Sequence, residues 1–283
     1  MSSWLQLGSE QGAEGAGSRR PLGSPWPDRL ARGAAHVELP RSRPSRGAEL
    51  VRLQLPDRPG VLAGIAGHFA AHGVDVIRLE VLEAESGRAI DDFLVSGAGL
   101  SAALDELGPE VTVLARRPGV DLRDPGLAMA AACATVTAAS TAVDAYRNLV
   151  RGALDLVFAE AGFLCARQGH GLLRPVASSV SGLPVLDDGA ASLLGSALFS
   201  GECLTADGRI PWAPVGYRER LPAGAVAVVP GGSPAFLVLV LSRDDLTPFA
   251  AAELARLEAL IRVAVGTLQL HDATVRLRDG LVT

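Results

Sequence analysis

The sequence predicts an α+β protein: a small unit of alternating strands and helices, then a larger antiparallel sheet flanked by helices. Three observations carry the prediction. Short apolar–polar alternations begin at Glu49, helix-period stretches separate them, and Gly and Pro punctuate the joins. A length of 283 residues fits about two domains. The expected boundaries are 1–47 for a disordered tail, 48–120 for the first unit, 121–140 for a linker and connector helix, 141–271 for the second unit and 272–283 for a C-terminal tail.

The tail is rich in Gly, Ser, Pro and Arg and has no apolar period. Glu49–Leu55 (ELVRLQL) then alternates as a half-buried strand. Pro59 suits the first position of a helix, where its missing N–H goes unused, and Gly73 suits the stop after His72. Val74–Leu82 alternates again, Ser86-Gly87 turns the chain, and Ala89–Val95 returns as a hairpin partner. A short helix over Leu100–Leu107 ends at Gly108-Pro109, and Val111–Leu114 reads as a fourth strand. The order βαββαβ is that of a ferredoxin-like unit.

Beyond a linker from Arg116 to Gly126, Ala128–Ala139 is an alanine-rich connector read as helical. Ser140 or Thr141 with Asp144 forms a capping-box pattern that opens a helix running to about Glu160. Strands are expected at Gly162–Arg167, Arg174–Val180, Ala225–Val229 and Phe236–Leu241, with a helix at Ala190–Ser200. Thr247-Pro248 caps a long final helix. Leu254, Leu257, Ile261, Ala264, Leu268 and Val275 form one stripe on it, and Leu260, Val263 and Leu270 a second. Two stripes suggest one face on the unit's own sheet and another on a partner helix; one broad core face is the plainer alternative.

Composition removes several function classes. The 26 basic residues are all arginine, so there is no lysine for a P-loop, a pyridoxal Schiff base or a kinase site. The net charge of −5 is the balance of a +3 tail, with seven Arg against four acids in residues 1–48, and a −8 body. An acidic body argues against nucleic-acid binding. No apolar run approaches the ~18 residues of a membrane span, and the first residues carry no secretory pattern, so a cytoplasmic protein is expected. Cys133, Cys165 and Cys203 are too far apart for a metal pair and read as packed thiols.

The run Asp57-Arg58-Pro59-Gly60-Val61-Leu62, with Gly73 and a hairpin after it, resembles an ACT domain over about Leu50 to Arg116. Such domains are small regulatory modules of amino-acid metabolism. The resemblance implies that copies pair side by side through their sheets and bind an amino acid at the interface. The residues LLGSALFSGECL, AVAVVPGGSPAFLVLVLSR and DLTPFAAAELARLEALIRVAVGTLQL resemble a GAF domain over about Thr141 to Leu270. The Asn-Lys-Phe-Asp-Glu set of cyclic-GMP-binding GAF domains cannot be present without lysine.

Candidate binding chemistry gathers at the first helix. With Pro59 as its first residue, the N–H groups of Gly60, Val61 and Leu62 have no intrahelical partner, and they suit a carboxylate. Gly60 bares the approach, and Asp57 or Asp75 offers a carboxylate to an ammonium; a tight strand-to-helix turn is the structural alternative. Many amino-acid-binding ACT domains have asparagine where this chain has Asp75, which would repel a ligand carboxylate. His68 and His72 (HFAAH) lack the glutamate and third ligand of a zinc site and read as packed or solvated histidines, so no metal is expected. Gly231–Ala235 precedes a strand rather than the helix of a nucleophile elbow, and Asp187-Asp188 and Asp244-Asp245 read as helix caps.

The expected function is a non-enzymatic sensor without cofactor. It forms a homodimer, binds an amino acid at the ACT unit, and passes its state through the connector to the GAF-like unit and an unidentified protein partner. A ligand-free dimerisation scaffold and a hydrolase are the alternatives from other classes.

Overall fold

The computed structural model of the chain describes residues 35–36, 47–118, 124–167, 173–179, 204–206, 226–230, 236–243 and 249–280. Two sheets organise them. The first unit runs β2 (Ala48–Pro56), α1 (Val61–Ala71), β3 (Asp75–Glu85), β4 (Arg88–Ser96), α2 (Leu100–Asp105), β5 (Thr112–Pro118). Its four strands lie in the order β3-β4-β2-β5, all antiparallel, which is the expected ferredoxin-like order. Alternation sorts the side chains between two faces. Val51, Leu53, Leu55, Phe93 and Val95 face Ile65 and Phe69 of α1 and Leu100 and Ala103 of α2. Phe69 meets Phe93 edge to face, with ring centroids 5.7 Å apart.

The second sheet has six strands in the order β1-β7-β6-β10-β9-β8: β1 is Ala35–His36, β6 Ala161–Arg167, β7 Leu173–Ser178, β8 Leu204–Ala206, β9 Val226–Pro230 and β10 Phe236–Ser242. Three helices cover one face of it: α3 (Pro125–Thr137), α4 (Ala142–Val157) and α5 (Ala251–Gly280). Their core includes Val136, Leu149, Val150, Leu164, Leu239, Leu257 and Ile261. The predicted capping residue of α4 is Thr141, whose hydroxyl accepts the Asp144 N–H at 3.1 Å and donates to the Asp144 carboxylate at 2.7 Å.

Four expectations change. Ala35–His36, placed in the tail by sequence, pair in parallel with Ala177–Ser178 at the sheet edge. The linker residues 125–126 already belong to α3, because Asp124 caps them. The final helix continues through 272–280, which carry no breaker before Gly280. Its core-facing half is one broad face, since Leu260 joins the same cluster as Leu257 and Ile261, while Leu270 is exposed. The expected helix at Ala190–Ser200, Cys203, the Gly231–Ala235 turn, Asp187-Asp188, Asp244-Asp245 and Thr247-Pro248 lie outside the described residues.

Candidate functional site

Strand β2 ends at Pro56, opposite Arg88. The Asp57 N–H then donates to the Gly87 carbonyl at 2.9 Å, and the chain turns. Pro59 is not the first helical residue. Arg58-Pro59-Gly60-Val61 forms a type II β-turn in which the Val61 N–H donates to the Arg58 carbonyl at 3.4 Å. Gly60 has φ 89° and ψ −15°, the left-handed conformation that this turn demands at its third residue. Helix α1 therefore starts one residue later than Gly60, and the first helical bond runs from the Gly64 N–H to the Gly60 carbonyl at 2.9 Å.

That geometry changes the donor set. Val61 spends its N–H on the turn. The amides of Gly60, Leu62 and Ala63 have no hydrogen-bond acceptor among the described residues, and no side chain caps the helix. Residues 57–60 are all exposed, and space around Gly60 is open: a Cβ built there meets nothing within 4 Å. Asp57, Pro59, Gly60, Val61 and Leu62 are thus gathered at one end of the first sheet. Asp75 is not. It opens β3 opposite Ser96, which in turn faces Ala48, at the far end of the strands. The 11 residues of α1 separate it from Gly60 by about 16 Å along the helix.

The two histidines are packed, as expected. His68 Nε2 lies 2.8 Å from the Ala103 carbonyl, and His72 Nδ1 lies 2.9 Å from the His68 carbonyl. No cluster of three His, Cys, Asp or Glu among the described residues could hold a metal. No described helix is long and apolar enough to cross a membrane.

Sequence reasoning missed two groups that flank this end of the molecule. Asp91 and Asp92 are adjacent on β4, so they point to opposite faces, and both are buried. Asp91 lies on the α1 side among apolar residues, only 1% exposed, and neither of its oxygens has a hydrogen-bond partner. Burial, then the nearby charges of Asp92 and Asp57, push its carboxyl up to about 6.

Asp92 faces the second unit. There the Arg52 guanidinium, also 1% exposed, grips two carboxylates at once. Its Nε and Nη2 donate to Asp92 at 2.7 and 2.9 Å, and its Nη1 and Nη2 donate to Glu253 of α5 at 3.1 and 3.0 Å. Glu253 also accepts from Arg243 and from the Ala250 N–H, so it caps α5 from within. Burial disfavours the charged form of Glu253, but Arg243 and Arg52 outweigh it and hold the carboxyl below its usual range. The sequence signal was faint: Arg52 sits on the polar face of ELVRLQL, and only a covering helix turns that face into an interior.

Residues 50–108 match the family model of the ACT domain, so the first unit is an ACT domain as the motif implied. No curated relative matches the chain. Solved structures similar to it include GAF domains. One, from a phosphoenolpyruvate-protein phosphotransferase of Coxiella burnetii, is 15% identical over 54% of this chain and 96% of that chain, with a TM-score of 0.44. Another, from a GAF domain/HD domain protein of Geobacter sulfurreducens, is 20% identical over 50% of this chain and 98% of that chain, with a TM-score of 0.38.

Proposed function

We propose that the protein is a homodimeric sensor whose ACT domain binds a free amino acid at the Asp57–Leu62 turn and passes the bound state to the second, GAF-like unit. The bare amides at the start of α1 carry this reading. A helix N-terminus with unpaired donors favours an anion, and a carboxylate is the anion every amino acid supplies. Gly60 leaves the approach clear.

Pairing of two copies supplies the second handle. Strand β3 is an outer strand of its sheet, and Ile77, Leu79 and Val81 project from one face at 45, 40 and 52% exposure. An unpaired, apolar edge invites another strand. Antiparallel pairing of β3 with β3 of a second copy brings Asp75 of that copy toward the Glu85 end, beside the Gly60 turn. The amides of one copy would hold the carboxylate, and Asp75 of the other the ammonium. Asp57 is the acceptor nearer in sequence.

Coupling to the second unit has a physical route through Arg52, which two hydrogen bonds hold to Asp92 within the ACT sheet and two more join to Glu253 of α5. Any such coupling is reciprocal, commonly ~1–3 kcal/mol.

Thermal unfolding of the full chain with each common amino acid tests the reading. One amino acid, or a small group of like side chains, should raise the midpoint. Gly60→Val should remove the response while sedimentation still gives a dimer. Flat curves throughout would leave the dimer as a ligand-free scaffold.

A further inference from the structure

The two flanks of the Gly60 turn differ in chemistry. Toward β5 the flank is charged and closed on itself: Arg58 pairs with Glu110, and Arg88 Nη1 donates to the Glu110 carbonyl at 3.1 Å. Toward β3 it is apolar and open. Residues directly opposite each other in an antiparallel sheet share a face, so the register sets three rows on the α1 side. Leu55, Ala89 and Ala84 form the row at the turn end, Leu53, Asp91 and Val81 the next, and Val51, Phe93 and Leu79 the third. Helix α1 sets out from the turn end, and its Phe69 meets Phe93 of the third row.

The β2 and β4 members of each row are buried, whereas the β3 members are bare. Val81 and Leu79 are 52 and 40% exposed, and Ala84 is exposed beside the turn. Helix α1 adds no Asp, Glu or Arg between Val61 and Ala71. Glu83 turns to the other face of the sheet, where it accepts the Ala251 N–H at 3.3 Å. One charge lies under this strip. Asp91 sits between Leu53 and Val81, is buried, and has no hydrogen-bond partner on either carboxyl oxygen. An unpartnered buried carboxylate costs stability, and its field carries further in the interior than in water. Beside an open anion site, that repulsion discriminates between ligands.

We propose that the amino acid taken at the Gly60 turn has an uncharged aliphatic side chain, which lies on Ala84 and Val81, and that Asp91 excludes acidic side chains from this strip. The inference rests on the reading of the turn as the amino-acid site. With the ligand carboxylate on the amides of Gly60, Leu62 and Ala63, the Arg58–Glu110 pair occupies one flank, and the β3 flank offers apolar area to bury. A basic side chain loses its hydration over Val81 and cannot reach the walled-off oxygens of Asp91. Edge pairing of β3 uses its backbone, so the strip stays on the α1 face when two copies join.

Calorimetric titration of the full chain at pH 8, above the Asp91 pKa of about 6, tests this with alanine, 2-aminobutyrate and norvaline and with serine, aspartate and lysine. Affinity should rise by about two- to fourfold for each added methylene. Serine should bind more weakly than 2-aminobutyrate, and aspartate and lysine more weakly still. Val81→Thr keeps the shape and β-branching of an exposed position and should cut the gain per methylene, with far-ultraviolet circular dichroism unchanged. Asp91→Asn should improve aspartate relative to norvaline by about fivefold or more. Equal affinity along the aliphatic series, tightest binding by aspartate or lysine, or unchanged selectivity in both folded variants would overturn the proposal. Ligand-induced shifts of the Gly60, Leu62 and Ala63 amides would then still keep the turn as the site, whereas no binding by any amino acid would overturn both.

Discussion

Near the start of both α1 and α3 stands a Pro-Gly pair with an aspartate before it, and the two helices handle their first amides in opposite ways. In α3 the aspartate is adjacent to the proline. Asp124 Oδ1 accepts the N–H groups of Gly126 and Leu127 at 2.8 and 3.1 Å, and Pro125 is the first helical residue. In α1 one extra residue, Arg58, separates Asp57 from Pro59. The proline then falls in a type II turn, Gly60 takes positive φ, and no carboxylate reaches the amides of Leu62 and Ala63. α5 resembles α3 in being capped by its own chain, through Glu253. One inserted residue thus separates a closed helix start from an open one, and an open one is what a ligand carboxylate needs.

The comparison can be broken most severely at α5. Glu253→Gln keeps the shape of the cap but leaves Arg52 and Arg243 buried around a neutral side chain. Loss of one partner from a buried ion network commonly costs ~3–5 kcal/mol, to be read by denaturant unfolding. The ACT domain and the second unit should then unfold in separate transitions.

Asp91 lies beneath the open helix and gives the next effect. Its folded pKa of about 6 is above the value of 3.8 for an unperturbed carboxyl. The stability it contributes is therefore full below the unfolded pKa and is lost as pH rises through about 6. Two units correspond to about 3 kcal/mol. Asp91→Asn should flatten the stability profile between pH 4 and pH 8, and the variant should be the more stable protein at pH 8. An unchanged slope would mean that the carboxyl is paired in solution.

Smaller effects sharpen the contrast directly. Asp124→Ala removes a cap and should cost ~0.5–2 kcal/mol without altering ligand response. Arg58→Asp places an aspartate next to Pro59, as in α3. It should add a few tenths of a kcal/mol to stability, and weaken amino-acid binding by occupying the same donors.

Much of the ACT unit was legible because its strands alternate, Gly73 stops α1 and Ser86-Gly87 turns the hairpin. Those signals are local. The position of Pro59 was misread because the rule that places proline first in a helix applies equally to the second residue of a type II turn, and Gly60 decides between them through its φ. The Arg52–Glu253 contact spans 201 residues and left no local mark. Asp91 was overlooked for a related reason: adjacent aspartates in a strand look solvated until both faces of the sheet are covered. Asp75 was placed correctly on its strand, yet sequence spacing concealed that α1 holds it away from Gly60 in the same chain.

The most direct test is a nitrogen-15 amide titration of the full chain with the amino acid that stabilises it most. The amides of Gly60, Leu62 and Ala63 should shift progressively and saturate, while Gly126 and Leu127, already held by Asp124, stay in place. A saturating ligand that leaves those three amides unmoved would contradict the open helix start as the binding element.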